Sequence, residues 1–364
     1  MRKTAFISHE KCFWHFGGNY ALLAPVGGLV QPMVSGGLPE APETKRRLKN
    51  LIEITGLNRD LEMVVGKTAT FEDLERVHPK AYLDEFKTLS DNGGGELGLR
   101  TPFGPGAFEI AMLSAGMVIQ AVEGVATGVY DNAYALSRPP GHHCLPDWPN
   151  GFCLLANVAI AVEKAIADGI AKRIVVLDWD VHHGNGTEAI FYDRPDVLTI
   201  SIHQDRCYPQ DTGSVEDRGT GRGLGANMNI PLPPGCGHNT YIEATERLIV
   251  PAIEAFDPDL VIVACGFDAG GFDPLARMMC SAETFREMTK RVMEITDGKL
   301  VAAHEGGYSE LYVPFCGHAM LEEMSGSEIR AEDPLLNRIN GQQPDARVDA
   351  FHLELINEMA DHFM

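Results

Sequence analysis

Arg173-Ile-Val-Val-Leu-Asp-Trp-Asp-Val-His-His-Gly-Asn-Gly-Thr187 joins a short β-branched run to two carboxylates and two adjacent imidazoles. An apolar run of this length reads as a strand of a parallel sheet buried on both faces. The ionisable groups then fall at its C-terminal end, where ligands of open α/β sheets bind. In extended chain the side chains alternate faces, so Asp178, Asp180 and His182 project to one side and Trp179 and Val181 to the other. Adjacent buried carboxylates are costly without a cation, which favours a metal site over an ion-paired helix entry.

A second apolar run, Asp259-Leu-Val-Ile-Val-Ala-Cys-Gly-Phe-Asp268, also delivers a carboxylate at its end. Asp268 would complete an Asp, His, Asp set with open positions. Such a set suits a water-activating Zn²⁺, and Fe²⁺ or Co²⁺ would fit the same mixed oxygen and nitrogen ligands. Asp178 is then left to hold a second cation or to orient a histidine. The loop Ser137-Arg-Pro-Pro-Gly-His-His-Cys144 supplies His142 and His143, which near a metal can divide proton transfers between them. His304-Glu-Gly-Gly-Tyr308 follows a further strand-like run, and the Tyr308 hydroxyl there can donate to a developing oxyanion. Together these elements describe metal-assisted hydrolysis of a carbonyl compound.

From about residue 107 onward, helical and strand-like patterns alternate, which predicts an α/β fold with a parallel sheet. Ala107 to Gly128, Phe152 to Gly169 and Asn239 to Phe256 read as helices, the last capped by Asn239 and kinked at Pro251. Arg173 to Leu177, Val197 to Ile202, Leu260 to Cys265 and Leu300 to Ala303 read as strands. Leu22 to Pro42 and Asp91 to Gly106 read as long loops, which in compact domains are usually functional. No repeat or linker divides the 364 residues, so one domain over 1–364 is expected.

The formal charge of −21 argues against a nucleic-acid partner and would suit cationic substrates if it gathered at a cleft. Eight scattered cysteines without a C-x-x-C pair read as reduced thiols. No apolar leader or membrane-spanning run stands out, so a soluble cytoplasmic protein is expected.

At this point the motifs RPPGHH, LDWDVHHGNGT, SIHQ, GFDA followed by DPLARM, and EGGY resemble, in order and spacing, those of the zinc-dependent deacetylases, in the form of the bacterial class II histone-deacetylase-like amidohydrolases. The resemblance runs through about Glu322; a helical extension is expected beyond it. It implies an arginase/deacetylase fold with a central eight-stranded parallel sheet flanked by helices. It makes Asp180, His182 and Asp268 the zinc ligands, with Fe²⁺ as the alternative metal in the cell. His143 becomes the base and then the acid, backed by Asn185, while His142 acts electrostatically. Asp178 backs His142 and, with Ser201, holds a structural K⁺. Tyr308 polarises the scissile carbonyl. Phe152 and Tyr208 become the walls of an acyl-lysine channel, the latter adding a hydroxyl where the family usually has phenylalanine. Gly151 lines the channel floor, and Arg47 is placed beside an internal cavity behind the metal.

The resemblance also orders the reaction classes. Gly270 stands where arginase-type enzymes carry the second aspartate for a dinuclear manganese site. Leu275 stands where polyamine-specific relatives place a cation-gating glutamate, and Asp91 to Gly106 is short for the insertion that bacterial polyamine deacetylases use. An acetylated lysine peptide or small N-acyl amine is therefore the expected substrate, and an acetylpolyamine the alternative. A non-catalytic acyl-lysine reader has no use for the complete proton-transfer set. Related proteins self-associate, so a homo-oligomer is expected, with the loop of Trp14 and His15 as a rim or contact.

Overall fold

The computed structural model describes residues 1–31 and 37–363. Eight strands form one parallel sheet: β1 (Thr4–Ser8), β2 (Glu62–Val65), β3 (Asn132–Ala135), β4 (Ile174–Asp178), β5 (Val197–Gln204), β6 (Asn227–Leu232), β7 (Leu260–Cys265) and β8 (Leu300–His304). Their order is β6-β5-β4-β7-β8-β3-β1-β2. The quoted run is thus central, paired with β5 and β7 in a register that puts Asp178 beside Ser201 on one side and Ala264 on the other. This is the parallel α/β sheet that the sequence predicts.

The alternation within β4 divides the core. Ile174 and Val176 join one cluster, with Phe108 and Val158 from the helices Ala107–Ala126 and Asn157–Ala167. Val175 and Leu177 join the other, with Leu48, Phe285 and Cys316 from the helices Glu43–Thr55, Ala282–Ile295 and Val313–Ser325. Each fully buried Val, Ile or Leu contributes about 1.5–3 kcal/mol, so the central strands are fixed chiefly by burial on both faces.

Several expectations are corrected. Ala107–Ala126 is long and apolar enough to cross a membrane, with a mean hydropathy of 1.4, but it lies packed between the sheet and the Asn157–Ala167 helix. The helix expected from Phe152 begins at Asn157, because Phe152 adopts a positive φ of 69° in a turn. The segment expected to run from Asn239 starts at His238 without a side-chain cap, widens to a π turn over Thr245–Ile249, and resumes as Val250–Phe256. Pro251 follows that π turn directly, so its missing N–H falls where the helix has already departed from regular α-helical bonding. The loop Asp91 to Gly106 holds a short antiparallel pair, Gly95–Glu96 with Pro102–Phe103. Residues 32–36 of the other predicted loop lie outside the described residues.

Beyond Ser325 the chain adds the helices Leu336–Asn340 and Ala346–Phe363, whose Ile339, Ile356 and Met359 enter the same core as β4. All eight cysteines are free.

Candidate active site

The C-terminal ends of β4, β7 and β8 converge. Beyond β4 the chain turns tightly, with the Asp180 N–H donating to Asp178 Oδ1 (3.1 Å) and the His182 N–H to Asp180 Oδ1 (3.0 Å). Trp179 and Val181 stay in the core opposite, so Asp180 and His182 face inward together. Asp268, arriving from β7, accepts the Val181 N–H at 2.8 Å, which locks the two loops to each other. One donor atom from each of Asp180, His182 and Asp268 lies within 4.8 Å of the others.

His182 Nδ1 sits 3.0 Å from Asp180 Oδ1 and 3.1 Å from Asp268 Oδ2. Burial, and then the charge of Asp180, pushes the Asp268 carboxyl up. Two fully buried carboxylates and an imidazole at the end of a channel are the donor set of a divalent cation, and a shared cation removes the repulsion between the carboxylates. The residues present therefore fit a Zn²⁺ or Fe²⁺ site with open positions.

The GHH loop lies alongside. His142 Nδ1 is 2.9 Å from Asp178 Oδ2, and His143 Nδ1 is 2.8 Å from Asn185 Oδ1. Burial alone would lower both imidazoles. For His142 the Asp180 and Asp178 carboxylates outweigh it and push the ring up to about 10. For His143 nothing comparable opposes burial, and His142 and His182 add repulsion, so its pKa falls well below the usual range. One carboxylate partner and one amide partner thus separate two neighbours that differ little in sequence.

Tyr308 caps the group, its ring 6.2 Å from that of His182 and 5.8 Å from that of Phe152. Burial holds its hydroxyl protonated, well above the usual tyrosine range. A narrow channel of ≈ 100 Å³ leads to His143, His182 and Tyr308 between Phe152, Gly151, Tyr208 and Leu275. The Tyr208 hydroxyl donates to Asn150 Oδ1, so its aromatic face, not its oxygen, meets the channel. At Gly151 a Cβ would run into the His143 and Tyr208 rings, and the φ of 52° suits glycine. Ser201 lies beside Asp178 across β4 and β5, and both border a void of ≈ 10 Å³, the room of one small ion or water.

Two placements differ from expectation. Arg47 lies on the solvent face of its helix, whose buried residues are Thr44, Lys45, Leu48 and Ile52, and it pairs with Glu310 at 3.9 Å on the surface. The buried arginine behind the GHH loop is Arg138, paired with Glu40 (3.0 Å) and bonded to the carbonyls of Cys12 and His15. His15 is accordingly buried and no rim residue, while Trp14 beside it is 71% exposed.

Other residues went unread in the sequence. Glu305 Oε2 accepts the Gly141 and His142 N–H groups at 2.6 and 3.1 Å and so pins the GHH loop. Asp273 accepts the Tyr308 N–H at 2.8 Å and fixes the tyrosine loop. Both belong to motifs, EGGY and DPLARM, whose polar members were the available signal. Gly306 donates its N–H to Asp180 Oδ2 at 2.7 Å, and a Cβ there would fall on the carboxylate oxygens of both Asp180 and Asp268. Gly306→Ala is expected to weaken metal binding by about 10–100-fold, the usual cost of disturbing groups that orient ligands. Competitive chelator titration measures it, and an unchanged affinity would show that the carboxylates can move aside.

The histone deacetylase domain family matches residues 38–324 of the chain. The chain is 53% identical to a histone deacetylase-like amidohydrolase of Pseudomonas aeruginosa, across 100% of its own length and 96% of the relative's. It is 39% identical to a probable deacetylase of Archaeoglobus fulgidus over 72% of this chain and 74% of that one. Among solved structures, the HDA15 HD domain superposes with a TM-score of 0.82 at 29% identity, covering 100% of this chain and 97% of that one.

Proposed function

The chain belongs to the histone deacetylase family of amide hydrolases, and from that premise we propose that it removes acetyl or other short acyl groups from N-acyl-lysine side chains and small N-acyl amines. The observation that carries this reading is the narrow channel with aromatic walls, which admits an extended alkyl amide and ends at His143, His182 and Tyr308.

Asp180, His182 and Asp268 would hold Zn²⁺, or Fe²⁺ in the cell, which when bound supplies Lewis acidity to the carbonyl and to water. His143 takes the proton of the attacking water. Its Nδ1–H is committed to Asn185, so Nε2 is the free base, and the same nitrogen later returns the proton to the departing amine. His142, bonded through Nδ1 to Asp178 Oδ2, favours negative charge beside it and leaves the proton transfer to its neighbour. Tyr308 donates its hydroxyl hydrogen to the oxyanion that develops on the carbonyl. Asp178 and Ser201 would bind K⁺ behind this site, away from the reaction.

Leu275 gives the channel an apolar wall where a cationic amine would need a carboxylate. The test is kcat/KM on an acetyl-lysine peptide against N-acetylputrescine. The peptide is expected to be preferred at least about tenfold, since an ammonium entering the channel meets no charge partner. A preference for the acetylated polyamine would overturn the lysine reading and leave the amide chemistry standing.

A further inference from the structure

We infer that Arg100 selects substrates by charge: it favours acyl-lysine peptides with a carboxylate next to the acyl-lysine and disfavours cationic amines. The inference rests on the deacylase reading and names the substrate class that this channel takes best.

Arg100 lies in the loop between Gly95–Glu96 and Pro102–Phe103 and lines the channel with Phe152, Tyr208 and Leu275. The loop is laced to the segment that builds the channel wall. The Leu99 N–H reaches Pro149 O (3.3 Å), the Gly151 N–H reaches Leu99 O (3.0 Å), and the Phe152 N–H reaches Arg100 O (3.0 Å). Arg100 itself takes a left-handed backbone, φ 60°, which non-glycine residues seldom adopt without surrounding structure to impose it. Its guanidinium stands over the Tyr208 ring, 5.1 Å from the centroid. One side chain therefore reaches from one wall of the channel to the other, over the tyrosine that Asn150 holds in place.

Among the described residues no carboxylate lines this channel. Among the described residues Arg100 makes no salt bridge, in a chain whose net charge is −21. Acids of the segments that carry the lining residues have contacts of their own. Glu96 accepts the Thr101 N–H at 3.3 Å, Asp205 pairs with Arg206 at 3.8 Å, and Asp273 accepts the Leu275 and Tyr308 N–H groups. An unpaired, half-buried guanidinium at the entrance is a docking point for a carboxylate and repels an ammonium.

The experiment uses the metal-loaded full chain and short acetyl-lysine peptides that differ only in carrying Glu, Gln or Lys next to the acetyl-lysine. In the wild type, kcat/KM is expected to rank Glu over Gln over Lys, spread about tenfold at low salt and less at high salt. The difference should sit in KM with kcat unchanged, because the contact is the same before and during the reaction. Arg100→Gln should collapse the ranking and Arg100→Lys should keep most of it, both with an unaltered melting temperature. A wild type that does not rank the peptides, or an Arg100→Gln that still does, overturns the inference while leaving the deacylase reading intact. A wild type that turns over none of them overturns both.

Discussion

Asp180→Ala is expected to lose both its metal and its turnover, with kcat falling by at least about a thousandfold. Asp180 is fully buried and serves three neighbours: it accepts the Gly306 N–H, accepts the His182 N–H, and faces His142 Nε2 at 3.8 Å. Alanine leaves only Asp268 and His182 as metal ligands and strands the Gly306 and His182 N–H groups, each a buried donor whose loss of a partner costs about 1–3 kcal/mol. Against that loss, the repulsion between two buried carboxylates disappears. The variant should therefore be clearly less stable than the metal-loaded wild type but much closer to the chelated one. Elemental analysis of the purified protein, together with melting curves with and without chelator, measures both effects. Full metal occupancy in the variant would remove Asp180 from the ligand set.

Tyr308→Phe should separate chemistry from structure. The hydroxyl has no hydrogen-bond partner among the described residues, so its removal strands nothing, and phenylalanine retains the packing against Phe152. Metal content and melting temperature are expected to stay at wild-type values while kcat falls about 100–1,000-fold, the effect of deleting one oxyanion donor. Steady-state kinetics on the acetyl-lysine peptide measures the ratio. Equal turnover would remove Tyr308 from the reaction and leave it as a packing residue.

The parts legible in the sequence share one property: their signal is local. β4, β5, β7 and β8 are apolar, rich in β-branched residues and buried on both faces, so a few consecutive residues suffice to identify them. β3 is only Asn-Ala-Tyr-Ala, and β6 carries Asn227, Asn229 and Pro231, so neither shows such a run. Both become strands because their neighbours in the sheet supply hydrogen bonds that their own composition does not advertise. Arg47 is misplaced for a different reason. Helical periodicity over Glu43–Thr55 turns Lys45 and Leu48 inward and Arg47 out.

Residue order alone places Asp180, His182, Asp268 and Tyr308 within four residues past the C-terminal ends of β4, β7 and β8, because each follows directly on an apolar run that reads as a strand. It also determined that two tandem histidines accompany them. Only the tertiary structure decided how those two histidines differ, since Asp178 and Asn185 reach them from other parts of the chain. It likewise decided that Glu305 and Asp273 serve as backbone anchors and that Arg100, with no salt bridge among the described residues, stands at the channel. Charge and hydrogen-bond partnership depend on distances between residues far apart in the chain, and chain folding sets those distances.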